Sequence, residues 1–183
     1  MGLPEQAHFL KRNNRDEAMP IAVRIGKLHD SSLAARRFAS QDMVLCASPR
    51  YLEHEGSPGR VEDLASHSAI VFRNPSSGRI RPWELSVAGK PLALTPSSRL
   101  LFSDGEAMVA AALHGLGIAQ VPDYMVSEAL DRGALVEVLA ACRPASLPIH
   151  AVMPANRMVP ARVRVLLEAL SSVPASQLLN HTR

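Results

Sequence analysis

Apolar positions along the chain fall into short runs separated by polar, glycine-bearing and proline-bearing turns, and the period within each run assigns an element. "IAVRIG" (Ile21–Gly26) is a continuous apolar run ending on glycine, which predicts a compact strand before a polar turn at His29-Asp30-Ser31-Ser32. Met43–Ala47 predicts a second strand, with a break at Pro49. In "SPGRVEDLASHS", Val61, Leu64 and Ala65 recur at i, i+3, i+4 behind Pro58, the pattern of a short helix with proline in an early position. "AIVFR" predicts a buried strand closed by the turn cluster "NPSSGR". "PWELSVAGKPLALTPSSRLLFSD" predicts two or three short strands with a turn at Ala88-Gly89-Lys90. A helix over about Asp104–His114, a strand Ile118–Val121 and a helix from about Tyr124 to Leu130, ending at Gly133, come next. "ALVEVLA" and "LPIHAVMP" are further strands. Behind Pro160, Val163, Leu166, Leu167 and Leu170 form one helical stripe, the clearest in the chain. Strands alternating with helices predict an α/β protein with partly parallel sheets.

Composition narrows this picture. The 183 residues are 47% hydrophobic but only 4% aromatic, so Leu, Val, Ala and Ile must fill the core. The formal charge of +3 comes from arginines spread along the chain, and no five-residue block of like charge points to nucleic acid. Cys46 and Cys142 lie in or beside apolar runs without CxxC spacing, which predicts buried free thiols in a reducing compartment. No run approaches the roughly 18–20 apolar residues of a membrane span. The opening "MGLPEQAHFLKRNNRDEAMP" has no apolar h-region, so the expected location is the cytoplasm.

The densest local signal is "FSDGEAMVAAALHGLGIAQVPDY" (Phe102–Tyr124). A dinucleotide fingerprint fails there, because "GLGIAQ" carries glutamine at the third glycine position and follows a helix rather than a strand. The nucleophile-elbow pattern GxSxG is absent, and Ser103 and His114 stand at opposite ends of one predicted helix, roughly 15 Å apart. The seven histidines form no HxxxH pair and none adjoins a cysteine, so neither a zinc site nor an enzyme is expected. Ser103-Asp104-Gly105-Glu106 instead reads S-x-x-E before an apolar run, which predicts a capping box with Ser103 as the cap. Ala107, Met108, Ala111 and Ala112 make a mostly small stripe that lets the helix lie close to a sheet. Gly115 and Gly117 turn the chain into the next strand, and Pro122 and Asp123 stop that strand and cap the following helix. Two helix starts after strands suit either structural caps or the edge of a ligand crevice for a polar or anionic molecule; both readings stay open.

The same stretch resembles a segment of the LysR-type bacterial transcriptional regulators, written DGEAxxxAALAGLGIAxLPxxxV in that family. "IAVRIGKLHDSSLAARRF", "MVLCASPRYLEHEGSPGRVEDLASHSAIVFR", "GALVEVLA" and "LPIHAVMPANRMVPARVRVLLEAL" agree in order and spacing, so the resemblance covers about residues 21–172. It implies the effector-binding domain of such a regulator, with a type 2 periplasmic-binding-protein-like fold of two lobes. Residues 1–20 read as an atypical leader, 21–42 as a partial first lobe and crossover, and 43–145 as a complete second lobe. Residues 146–172 return to the first lobe with the final helix, and 173–183 form a tail. The family's winged helix-turn-helix and the early part of its first lobe have no counterpart before Ile21, which reads as an N-terminally truncated regulator. DNA contact would then need a helix-turn-helix domain outside this sequence.

The resemblance implies a small-molecule effector, which Arg24 and the helix starts allow to be anionic. It also implies a homo-oligomer, and neither a cofactor nor a membrane partner. Carried over residue by residue, the effector side would include Arg24, Ile25 and Gly26 at the first crossover, and Phe102, Ser103, Asp104 and Gly105 at a helix start. Val121, Pro122 and Asp123 would lie near the latter. The competing readings are a periplasmic solute-binding protein, which needs a signal peptide, and a truncated regulator fragment without function.

Overall fold

A computed structural model describes residues 22–26, 28, 33–154 and 165. Two strands come first, β1 (Ala22–Ile25) and β2 (Leu33–Gln41). They are followed by β3 (Met43–Ala47), helix α1 (Pro49–Glu55) and a 3-10 helix at Val61–Ser66. Next stand β4 (Ala69–Phe72), β5 (Trp83–Val87), β6 (Lys90–Leu94) and β7 (Leu100–Phe102), then helix α2 (Gly105–Leu113) and β8 (Ile118–Pro122). A 3-10 turn (Asp123–Met125), helix α3 (Ser127–Asp131), β9 (Val136–Val138), a 3-10 turn (Ala140–Cys142) and β10 (Leu147–Pro154) complete the series. The leader, the turn at His29–Ser32, the helix expected behind Pro160 and the tail lie outside the described residues. The elements sort into two units, one holding β1, β2 and β10, the other spanning Asp42–Ser146.

In the first unit β10 is the central strand, paired antiparallel with β1 on one side and β2 on the other. The β2 register shifts between Ile149 and His150, where Ala39 and Arg37 are the successive partners and Phe38 is left over, a bulge. Phe38 packs against the buried Ala151 and Met153.

The second unit is built on a five-stranded sheet in the order β7-β4-β8-β3-β9. β4 runs parallel to both β7 and β8, while β3 is antiparallel to β8 and β9. Side chains alternate across this sheet, as the two-residue strand period requires. Val44, Cys46, Ile70, Ala119 and Val121 face α2 and α3, meeting Met108, Ala111, Ala112, Val126 and Ala129. Leu45, Ala47, Ala69, Val71 and Ile118 face the other way, against Tyr51, Leu64, Trp83 and Leu85. Both faces are covered, so the strands read as unbroken apolar runs rather than alternating ones.

Close approach is bought with small residues. At Gly117 a Cβ would fall 2.3 Å from the Ser68 carbonyl oxygen, the acceptor for the Ile118 amide at 2.9 Å, where β8 begins to pair beside β4. The β5–β6 hairpin turns at Ala88 and Gly89, both left-handed (φ 50° and 75°), as a two-residue hairpin requires. Gln120 fastens this hairpin to the sheet: its Oε1 accepts the Glu84 amide at 2.9 Å and its Nε2 donates to the Glu84 carbonyl at 2.7 Å.

Four local expectations are corrected. Pro49 does not break the chain but opens α1 near its N-terminus, with Ser48 as the cap accepting the Tyr51 amide, because proline is preorganised for a first helical turn. "VEDLAS" forms a 3-10 helix, and Pro58 precedes it; Asp63 closes its start by accepting the Gly59 and Arg60 amides. The cap of α2 is Asp104 rather than Ser103, since its carboxylate accepts both the Glu106 amide (2.6 Å) and the Ala107 amide (3.1 Å). A charged acceptor at the positive end of the helix outcompetes a hydroxyl one residue earlier. Asp123 caps no helix: its carboxylate accepts the Asp42 amide at 3.1 Å and its own amide donates to the Asp42 carbonyl at 2.9 Å.

Candidate functional site

The parallel arrangement of β7, β4 and β8 brings their C-terminal ends to one edge of the second unit. Phe102 ends β7 in register with Phe72 at the end of β4, and Val121 and Pro122 end β8. The chain leaves β7 through Ser103 and Asp104 into α2, and leaves β8 at Asp123 into a 3-10 turn. Seven residues expected at the site therefore share this edge. Phe102 is half-buried, Ser103 and Asp104 are exposed, Val121 is buried, and Pro122 and Asp123 are half-buried. Gly105 belongs here because the Met125 side chain fills the space beside it: a Cβ would lie 2.8 Å from the Met125 methyl. That contact joins the two helix starts.

These residues do different work. The Asp104 carboxylate is spent on the α2 cap and places a negative charge at that terminus. Asp123 is tied to Asp42, the first residue of the second unit. Asp42 also accepts from the Ser146 hydroxyl and stands 3.6 Å from Arg143, which is itself paired with Glu137. The Glu137 carboxylate holds the Arg143 guanidinium above the ordinary arginine value. Ser103 is left with a free, exposed hydroxyl among the described residues.

Arg24, Ile25 and Gly26 lie in the first unit, on β1 and the residue after it. Arg24 and Ile25 are half-buried and stand opposite His150 and Ile149 of β10. Gly26 closes the strand by donating its amide to the Pro148 carbonyl at 2.8 Å, in a left-handed conformation (φ 96°).

One further cation, Arg81, stands at this edge. Arg81 is half-buried, and its amide donates to the Phe72 carbonyl at 2.8 Å, next to the Phe102 carbonyl that accepts the Arg73 amide at 2.7 Å. Its guanidinium approaches the Met43 sulfur at 3.8 Å, and Met43 pairs with Pro122. Burial pulls this guanidinium below the ordinary arginine value, with the Glu84 charge acting in the opposite sense. The turn at "NPSSGR" brings Arg81 back beside Phe72, and its contact with Met43, 38 residues away, is what no local pattern shows.

A polar recess of about 320 Å³ opens at the other end of β4 and β7, lined by Ser66, His67, Ser68, Ser98 and Arg99 among others. Its polar groups are largely engaged in closing that end of the sheet. The Ser98 hydroxyl donates to the Ala69 carbonyl and accepts the Leu100 amide, and the Ser66 hydroxyl donates to the Asp63 carbonyl. Tyr51 Oη accepts the Ser68 amide at 2.8 Å and lies 3.1 Å from His67 Nδ1. Among the described residues, no three His, Cys, Asp or Glu side chains gather as metal ligands, and no helix is long and apolar enough to cross a membrane.

The arrangement matches known proteins. The profile of the LysR substrate binding domain covers residues 10–175. The HTH-type transcriptional regulator CrgA of Neisseria meningitidis (serogroup C, strain 8013) is 33% identical over 157 residues, 85% of this chain and 51% of that protein. The solved regulatory domain of CrgA superposes with a TM-score of 0.68 at 32% identity, over 82% of this chain and 73% of that one. The regulatory domain of AphB in Vibrio vulnificus gives 0.71 at 26% identity, over 88% and 81%. The chain spans about half the length of the curated relatives it matches, and those relatives are transcriptional regulators. With its mixed α/β architecture, this chain belongs to the LysR family of transcriptional regulators, as an effector-binding domain of periplasmic-binding-protein-like two-lobe fold.

Proposed function

We propose that this domain senses a small molecule without transforming it, and that the strand-end edge of the second unit forms one side of the effector site. The convergence of Phe102–Gly105 and Val121–Asp123 at the C-terminal ends of parallel strands carries the reading, since ligands of open α/β sheets bind there. In this account Ser103 offers the effector a hydroxyl and Phe102 an apolar wall, and Arg24, Ile25 and Gly26 are further effector contacts carried by the first unit. Binding would favour one conformation of the domain over another, and a homo-oligomer of regulators would pass that shift to DNA. A cytoplasmic, non-enzymatic role follows from the same reading.

The test is calorimetric. A metabolite panel screened by thermal shift supplies a ligand, and Ser103→Ala and Arg24→Ala are then titrated with it. Each variant should weaken binding roughly tenfold, the scale of one hydrogen bond to a charged group, with melting unchanged in the absence of ligand. Full affinity in both variants would remove the site assignment.

A further inference from the structure

We infer that the effector carries a carboxylate or comparable anionic group, and that the Arg81 guanidinium receives it. This deepens the sensing role proposed above and rests on it. The most obvious anion site of the edge, the start of α2, is already filled: Asp104 accepts the Glu106 and Ala107 amides and adds its own negative charge. An anionic ligand must therefore find its counter-charge elsewhere on the edge.

Arg81 has the position for it. Its backbone is fixed to the end of β4 through Phe72, and its guanidinium reaches Met43 beside the end of β8. Among the described residues no carboxylate comes within ion-pair distance of it, whereas Arg60 and Arg132 each have one and Arg143 has two. The contact it makes, with a thioether sulfur, is a weak acceptor for a group with five donors. A half-buried guanidinium with that inventory has lost part of its hydration without gaining an anion, and burial already disfavours its charged form. A ligand carboxylate would restore the balance through two parallel N–H···O bonds, a geometry arginine supplies and lysine does not.

The experiment uses the full 183-residue chain with acetate, benzoate and succinate as probes, each beside its neutral amide, at constant ionic strength. Wild type should melt higher with at least one acid and not with the matching amide. Arg81→Met should lose that shift and bind the acid at least tenfold more weakly, and Arg81→Lys should recover only part. Because Arg81→Met could fail to fold, the wild-type arginine Nε–H resonances are followed as well; the Arg81 signal, assigned through the lysine variant, should move with the acid. Acids and amides bound alike, with weakening in Ser103→Ala but not Arg81→Met, would keep the sensing role and overturn the anion assignment. Acid binding lost in Arg24→Ala and intact in Arg81→Met would overturn it too. The absence of an acid-specific shift in every pair also counts against it.

Discussion

Cys46 is the fourth residue of β3, with no exposed surface, flanked by Ala119 of β8 and Glu137 of β9. Burial, with a smaller push from the Glu137 charge, raises its thiol from 9.0 to about 12. The folded value lies above the unfolded one, so this contribution to stability is fully present below pH 9 and drains away as pH rises toward 12. Urea unfolding of wild type and Cys46→Ala at pH 8 and pH 10 should therefore show their stability difference narrowing at the higher pH. A difference independent of pH would mean that the thiol is not desolvated in the native state. Its apolar surroundings were legible in "MVLCA", and so was its free state; both cysteines are unpaired. What could not be read was the carboxylate across the strand pair, because Glu137 becomes a neighbour of Cys46 only through the β3–β9 register.

Among the elements, α2 carries the clearest lesson about reading caps. The S-x-x-E pattern matched at Ser103, yet an aspartate in the next position takes both free amides. Asp104→Ala should cost about 1 kcal/mol of stability, as loss of an N-cap does, while Ser103→Ala should leave unfolding unchanged. Equal losses in both variants would restore the serine cap. The contrast also separates the role proposed for Ser103, on the ligand, from that of Asp104, on the helix. Elements with one dominant signal were well read: β3 follows the apolar run Met43–Ala47, and the Ala88-Gly89 turn joins β5 and β6 as expected. α1 is hard to read because a proline serves equally as a stop and as a first helical residue; the serine before Pro49 marks the helix start. The 3-10 geometry at Val61–Ser66 was equally out of reach, since the i, i+3 repeat serves both helix types.

For the molecule as a whole, the order β7-β4-β8-β3-β9 is what turns scattered residues into an edge. Phe102 and Val121 are nineteen positions apart in sequence but end strands on either side of β4, which is parallel to both. The family motif pointed to this edge, and local pattern alone left it undecided between a cap and a ligand crevice. Arg81 was invisible for a different reason: its place depends on the hydrogen bond from its amide to Phe72 and on a thioether 38 residues away. The polar recess at Ser66–Ala69 and Ser97–Leu100 stands at the opposite ends of the same strands, which makes the two locations distinguishable. Amide chemical-shift mapping on the ¹⁵N-labelled chain, with a ligand selected by thermal shift, puts the central claim to the most direct test. The account predicts that the largest perturbations in the second unit cluster at Phe102–Glu106 and Val121–Tyr124. Perturbations confined instead to Ser66–Ala69 and Ser97–Leu100 would contradict it.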